Sequence, residues 1–158
     1  MVFIYFNMSI SWGTITWYLF HGLAEKIKED KFEEKRSEIV GVIVKICKLL
    51  PCPECSDHAQ HTLSFAKLQN LKTKEDLQKF LWGFHNIVNQ RRRVEIFNFD
   101  ECKEKYSKIK LESVVDTFIK VWSKNYAVKL MNDSFHRRLF TNKFKIWFQS
   151  NKDHFSLE

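Results

Sequence analysis

The sequence predicts an all-α fold, and three observations support this prediction. With four glycines and two prolines in 158 residues, the chain favours long uninterrupted elements over a turn-rich β fold. Apolar side chains recur at intervals of three and four residues, which is the spacing of one helix face. No segment alternates apolar and polar residues between turns, as a half-buried strand would. A hydrophobic content of 44% also excludes a disordered chain.

The predicted helices have recognisable starts and stops. Pro51 ends the second helix, and Pro53 suits the first turn of a third, with Cys52 in the N-cap region. Thr73 and Asp76 form a capping box that opens the fourth helix. The predicted helical spans are residues 11–28, 32–50 and 53–66, a helix from 73 that ends before a loop at 94–98, a short helix at 99–109, and a mostly helical stretch at 111–158.

The first 24 residues contain no charged side chain when His21 is neutral. That length admits a membrane span or a signal sequence. Polar residues interrupt the segment, however, and neither a basic n-region nor a small-residue cleavage pattern accompanies it. A buried helix is therefore favoured over a membrane span, with Met8 as an alternative start of the chain.

The chain is basic, with a formal net charge of +7. This charge is compatible with nucleic acid, an acidic membrane surface or an anionic cofactor, and it does not distinguish among them. Arg91, Arg92 and Arg93 follow one another and offer cations for phosphate groups. The basic, aromatic stretch at residues 135–150 leaves a nucleic-acid-binding helical protein as an alternative function.

One face of the fourth helix has an unusual composition. Trp82, His85, Asn86 and Asn89 recur there at positions i, i+3, i+4 and i+7. An aromatic ring with three polar side chains suits neither a core nor a solvated surface. Flat rings offer stacking surfaces, and amides supply donors and acceptors. This face therefore predicts binding of a polar ligand that contains a flat ring.

Cys52 and Cys55 form a C-x-x-C motif, which His58 and His61 follow at the same spacing. All four are plausible zinc ligands, but on a helix they rotate around the axis and climb roughly 13 Å, so they do not converge on one ion. A thiol at a helix start has a lowered pKa and is a good nucleophile, which favours redox chemistry. No metal site is predicted; a zinc-binding interaction module and an ordinary buried cysteine pair remain alternatives.

Three motifs in this order resemble the Erv/ALR family of FAD-linked sulfhydryl oxidases. They are WGTITWYLFH at residues 12–21, CPEC at 52–55 and HNIVN at 85–89. Each motif alone is weakly specific, but their order and spacing together are specific. The resemblance spans about residues 9–110 and is greatest to the short members found in large DNA viruses.

The resemblance implies a bundle of four to five helices that binds FAD, usually as a homodimer. It implies that Cys55 lies against the flavin ring and that Cys52 faces the substrate. Arg93 is added to the cofactor-binding set because its charge suits the pyrophosphate. The complete predicted cofactor-binding set is Gly13, Thr14, Trp17, His21, His85, Asn86, Val88, Asn89, Arg91 and Arg93.

The implied activity is thiol oxidation that makes disulfide bonds in substrate proteins. Electrons would pass from a protein dithiol, or from a thioredoxin-like carrier, through Cys52 and Cys55 to the flavin and then to O₂, giving H₂O₂. The viral likeness implies the host cytoplasm or the virion as the location. Neither nucleic acid nor a membrane span belongs to this prediction.

The sequence also departs from the family pattern. It has no second C-x-x-C, and Cys47 and Cys102 could bond to each other or stay reduced. The predicted organisation is an FAD-binding oxidase domain at residues 9–110 and a helical extension at 111–158. Because the extension is rich in aromatic residues, we expect most of it to be buried on the core or at an oligomer interface.

Overall fold

The computed structural model describes residues 10–124 and 131–158, and helices dominate both stretches. Met8, the alternative start, lies outside the described residues. The helices are α1 (Trp12–Lys26), α2 (Phe32–Lys48), α3 (Pro53–Phe65), α4 (Lys74–Arg91), α5 (Phe99–Ser107), α6 (Leu111–Trp122) and α7 (Met131–Asn151). The predicted all-α class is confirmed: within these two stretches, extended pairing is limited to one isolated bridge between Ile27 and Phe155.

Polar caps explain where several helices begin. Ser11 accepts a hydrogen bond from the Thr14 backbone N–H and starts α1. The capping box predicted at Thr73 and Asp76 is present and starts α4. Pro53 occupies the first turn of α3, as predicted, with Cys52 as the N-cap. These local signals fix the helix starts to within a residue of the predicted positions.

Helix α1 lies at the centre of the molecule and packs against α4, α5 and α6. Leu19 and Leu23 on this helix are fully buried. A Cβ on Gly22 would lie 2.6 Å from Cδ1 of Ile109 and 3.2 Å from Cδ1 of Leu111, so glycine lets these two side chains pack directly on α1. None of the helices in the two described stretches combines the length and the apolar content needed to cross a membrane.

The aromatic residues of the C-terminal extension join the same hydrophobic core as α1. Phe118, Trp122 and Phe144 are buried, and the rings of Phe118 and Phe144 meet edge to face with centroids 5.7 Å apart. Phe140 and Trp147 are partly buried against this core, and Phe135 is exposed. Each large apolar side chain buried in this way contributes about 1.5–3 kcal/mol of transfer free energy.

The C-terminal segment also binds the end of α1. Lys26 is buried and its Nζ donates to the main-chain oxygens of Ser107 and Glu158, at 2.7 and 2.9 Å. The Lys28 N–H donates to the His154 carbonyl at 2.9 Å. Because this bond holds Lys28 outside the helix, α1 ends at Lys26 and not at the predicted position 28.

Candidate redox site

Cys52 and Cys55 form a disulfide bond at the N-terminus of α3, with their Cα atoms 5.2 Å apart. The Cys52 Sγ accepts a hydrogen bond from the Cys55 backbone N–H at 3.2 Å. Both cysteines are half-buried, while Pro53 and Glu54 between them are exposed. The bond therefore lies where a partner thiol can reach it, and the N–H groups of the helix start favour a thiolate there.

The disulfide is held in place from behind by the end of α2. Ser56 in the first turn of α3 is buried, and its hydroxyl donates to the Cys47 carbonyl at 2.7 Å. The segment between the two helices also contacts α7, where the Arg137 guanidinium donates to the Leu49 carbonyl at 3.4 Å. These contacts give the Cys52–Cys55 turn a fixed orientation.

A cavity of about 330 Å³ opens beside the disulfide. Cys52 and Cys55 contribute to its wall, together with residues from α1, α2 and α4. The wall is largely apolar and includes the rings of Trp17 and Phe84 and the side chain of Val88. Such a wall suits a flat, mostly apolar ring placed directly against the disulfide.

Two cations, Arg91 and Arg92, line the same cavity at the C-terminal end of α4. Both are exposed, so they lie at its mouth and can meet an anion from solvent. Arg93, the third of the run, adopts φ of 57° and does not line the cavity. Arg92 therefore joins Arg91 in the lining, and the cofactor contact predicted for Arg93 stays a prediction.

A cluster of rings lies behind the cavity wall. Trp17 stacks on His85 with centroids 4.0 Å apart and planes 6° from parallel. His85 Nδ1 is 2.9 Å from His21 Nε2, and His21 Nδ1 is 3.6 Å from Cys102 Sγ. Tyr106 stacks on the other side of His21 at 4.2 Å. Only Trp17 of these residues lines the cavity, so the cluster supports the wall from behind.

Burial keeps both histidines neutral at pH 7. It lowers the pKa of His85 to about 4, and the nearby Lys105 and Arg92 act in the same direction. It also lowers the pKa of His21 well below 6.5, with His85 and Lys105 adding to the effect. The hydrogen bond between His21 Nε2 and His85 Nδ1 therefore contains one proton. The nitrogen that carries this proton determines the tautomer of both rings.

The polar face predicted on α4 divides into two parts. Trp82 Nε1 and Asn86 Nδ2 both donate to the Phe97 carbonyl at 2.8 Å, and Asn86 Oδ1 accepts from the Phe97 N–H. Asn89 Nδ2 donates to the Glu95 carbonyl at 3.4 Å. These three side chains hold the α4–α5 loop, whereas His85 turns towards Trp17. The cofactor contacts predicted for Asn86 and Asn89 stay predictions.

Of the predicted cofactor-binding residues, Gly13, Trp17, Val88 and Arg91 line the cavity. His21 and His85 contact that wall from behind, while Thr14, Asn86, Asn89 and Arg93 do not line it. Sequence reasoning missed several lining residues because their positions look like ordinary core positions. They are Trp12, Thr16, Phe20, Leu50, Ala59 and Phe84.

The described residues contain no group of side chains that fits the alternative of a zinc site. Cys52 and Cys55 are bonded to each other and not available as thiolate ligands. Across residues 10–124 and 131–158, no three His, Cys, Asp or Glu side chains are grouped so that they could hold a metal ion.

Cys47 and Cys102 are both buried and free, so they do not bond to each other. Burial raises the pKa of each thiol to about 12. The charge of Glu25 also raises the pKa of Cys102, while Lys105 partly opposes it. Both thiols therefore stay protonated at neutral pH and are poor nucleophiles.

The family model and the similar proteins indicate the same family. The family model described as "Erv1 / Alr family" matches residues 14–107, more than half of the chain. An African swine fever virus FAD-linked sulfhydryl oxidase is 29% identical over 117 residues, which cover 72% of this chain and 98% of that protein.

Two further relatives extend the comparison. A rice protein named FAD-linked sulfhydryl oxidase ERV1 is 25% identical over 97 residues, which cover 61% of this chain and 50% of that protein. A fowlpox virus relative is 30% identical over 91 residues, which cover 58% of this chain and 84% of the relative. No solved structure matches the chain significantly.

Proposed function

This chain belongs to the Erv1/Alr family, and we propose that it is an FAD-linked thiol oxidase that makes disulfide bonds in other proteins. The observation that carries the proposal is the position of the Cys52–Cys55 disulfide in the wall of a cavity with an apolar lining and a cationic mouth. A surface disulfide at a helix start can exchange with a partner dithiol. A cofactor bound in the adjoining cavity could then accept the electrons from the reduced cysteine pair.

The residues of the cavity fit FAD by their chemistry. Trp17, Phe84 and Val88 would hold the flat ring system against the disulfide, and Arg91 and Arg92 would neutralise the pyrophosphate. When bound, FAD accepts two electrons and two protons from the reduced cysteine pair and passes them to O₂, which becomes H₂O₂. The protein contributes the binding, orientation and electrostatics of the site.

The exchange begins when a substrate thiolate attacks the Cys52 sulfur, which forms a mixed disulfide and releases Cys55 as a thiolate. The second substrate thiol then attacks the mixed disulfide, so the substrate leaves oxidised and Cys52 and Cys55 are both reduced. Two protons and two electrons have then moved from the substrate to the cysteine pair. Attack at Cys52 leaves Cys55 for the electron transfer within the cavity.

The α3 N-terminus supports these steps. The Cys55 N–H already donates to the Cys52 sulfur at 3.2 Å, so a thiolate formed there meets a donor without rearrangement. Ser56, bonded to the Cys47 carbonyl, keeps the turn in this position. Exposed Pro53 and Glu54 lie next to the bond that a substrate must approach.

The physiological setting belongs to the same proposal. Substrates would be protein dithiols or a thioredoxin-like carrier, O₂ would be the electron acceptor, and the working unit would be a homodimer. The viral relatives support the host cytoplasm or the virion as the place of action. An encoded oxidase there would form disulfides that the reducing cytosol disfavours.

An absorbance spectrum combined with an oxygen electrode tests the proposal. Purified protein is expected to carry a flavin band in the blue, to consume O₂ when a reduced dithiol protein is added, and to release an equal amount of H₂O₂. Colourless protein that takes up no added FAD, or yellow protein without dithiol-dependent O₂ consumption, would refute it. Catalase, which returns half of the O₂ consumed, is the control for peroxide as the product.

A further inference from the structure

Trp122, at the end of α6, makes a buried hydrogen bond to the wall of the redox cavity. Its indole Nε1–H donates to the Thr16 Oγ1 at 3.0 Å, and the Trp122 side chain is fully buried. The Thr16 hydroxyl in turn donates to the Trp12 carbonyl at 2.6 Å. Thr16 and Trp12 both line the cavity beside the disulfide.

This chain of bonds uses the Thr16 hydroxyl as both donor and acceptor. Its one hydrogen goes to the Trp12 carbonyl, so it can only accept from Trp122. Two bonds in different directions hold the threonine in one rotamer. Because the bond from Trp122 is buried, its loss would leave the indole N–H without a partner, which is costly.

Helix α1 is thus held from two sides. On the α4 side, Trp17 stacks on His85 and meets Phe84 edge to face, with centroids 4.0 and 5.3 Å apart. On the α6 side, Trp122 reaches Thr16, with Phe118 packed beside it at 4.9 Å. The α4 contacts lie within residues 14–107, which match the family, whereas α6 lies beyond them.

We propose that Trp122 is a positioning residue of the cofactor cavity. Through Thr16 it fixes the α1 wall, so that the extension beyond the family-matched residues contributes to FAD affinity. Trp122 touches no reacting atom and acts only through the wall. The inference rests on the proposed function, because it takes FAD as the occupant of the cavity.

Four variants of the full chain separate this role from simple packing. Trp122→Phe keeps an aromatic ring and removes the N–H, while Thr16→Val keeps the shape and removes the hydroxyl. Thr16→Ser keeps the hydroxyl and serves as the conservative rescue. Thr117→Val is the matched control, since Thr117 makes the same bond to the carbonyl four residues earlier, Ser113, on the accessible side of α6.

The measurements are the FAD dissociation constant of the stripped protein, by flavin fluorescence, and the visible circular dichroism of bound flavin. Trp122→Phe and Thr16→Val are each expected to weaken FAD binding about five-fold, the equivalent of one buried hydrogen bond at about 1 kcal/mol. The double variant should be little weaker than either single variant, because both remove the same bond. Thr16→Ser should recover most of the affinity that Thr16→Val loses, and Thr117→Val should bind FAD as the wild type does.

Unchanged affinity and dichroism in Trp122→Phe, with only a lower melting temperature, would overturn the inference and leave Trp122 a packing residue. Fully additive losses in the double variant would also overturn it. If Trp122→Phe does not fold, the contrast between Thr16→Val and Thr16→Ser decides, and equal affinities refute the proposal. Wild-type protein that binds no FAD refutes the proposed function as well, so the two failures are distinguishable.

Discussion

Cys52 and Cys55 lie half-exposed at the start of α3 and are bonded to each other, whereas Cys47 and Cys102 are buried and free. The first pair has a helix N-terminus around it and solvent beside it. Cys47 lies at the end of α2 and Cys102 lies in α5, and the two thiols are not bonded to each other. Burial raises the pKa of each thiol to about 12. The same side chain is therefore placed for exchange in one setting and kept inert in the other.

The comparison shows that spacing and environment together assign a cysteine its role. Cys47 lines the same cavity as the disulfide, yet its burial keeps the thiol protonated. Cys102 touches His21, which is neutral and cannot stabilise a thiolate as an imidazolium would. Proximity to the site is thus not enough to make either thiol reactive.

The largest expected effect comes from breaking the redox pair. Cys52→Ser and Cys55→Ser should each reduce dithiol-dependent O₂ consumption by on the order of 10³-fold, because both sulfurs are needed to exchange with the substrate and to hold its electrons. Both variants should stay folded and yellow. An oxygen electrode measures the rates, with Cys102→Ser as the control that also loses one sulfur. Substantial turnover in either variant would contradict the assignment of the pair.

The next effect concerns reactivity towards an alkylating reagent after mild reduction. Thiols with a pKa of about 12 have a thiolate fraction of about 10⁻⁴ at pH 8, so Cys47 and Cys102 should label at least about 10²-fold more slowly than Cys52 and Cys55. Mass spectrometry over time gives the four rates. In denaturant the rates should converge. Similar rates in the folded protein would show that burial does not separate the pairs.

A smaller effect tests the rings that separate Cys102 from the cavity. The unfolded chain binds a proton at His85 with a pKa near 6.5, whereas the folded chain does so only at about 4. The unfolded state therefore gains protons first, and stability is lost as pH falls from about 6.5 to about 4, by at most about 3 kcal/mol. His85→Gln should flatten this slope in urea denaturation. Parallel slopes for the two proteins would contradict a neutral, buried His85.

The smallest effect is expected for Cys102→Ser. A serine hydroxyl can still bond to His21 Nδ1, and the buried volume changes little, so turnover should stay within about two-fold of wild type. Melting temperature and O₂ consumption are the two measurements. Inactive but folded Cys102→Ser would mean that the second pair takes part in the chemistry and that the division between the pairs is wrong.

Local signals in the sequence predicted most of the fold. Pro53 and the Thr73–Asp76 capping box act within one helical turn, so they set the starts of α3 and α4 without long-range information. Helix α2 ends at Lys48, two residues before the end predicted from Pro51. The end of α1 escaped prediction because it depends on the His154 carbonyl, which is distant in sequence. No local pattern reports such a contact.

The candidate site was predicted less completely than the fold. The C-x-x-C motif and Trp17 could be recognised from the sequence because of their residue types and spacing. In the structure they line one cavity. Thr16 and Phe84 line the same cavity, but nothing in a helical apolar stripe distinguishes a cavity wall from a packed core. The arginine run shows the same limit, since its sequence does not indicate that Arg91 and Arg92 line the cavity while Arg93 does not.

Anaerobic mixing of the yellow protein with a reduced dithiol protein tests the central claim most directly, because it isolates the transfer from the cysteine pair to the flavin. The blue flavin band should bleach rapidly in the wild type and in Cys102→Ser, and return when O₂ is admitted. In Cys55→Ser it should persist, because Cys52 is then a free thiol and offers no disulfide for the reduced substrate to exchange with. Equally fast bleaching in Cys55→Ser would show that electrons reach the flavin without the Cys52–Cys55 pair and would contradict the account.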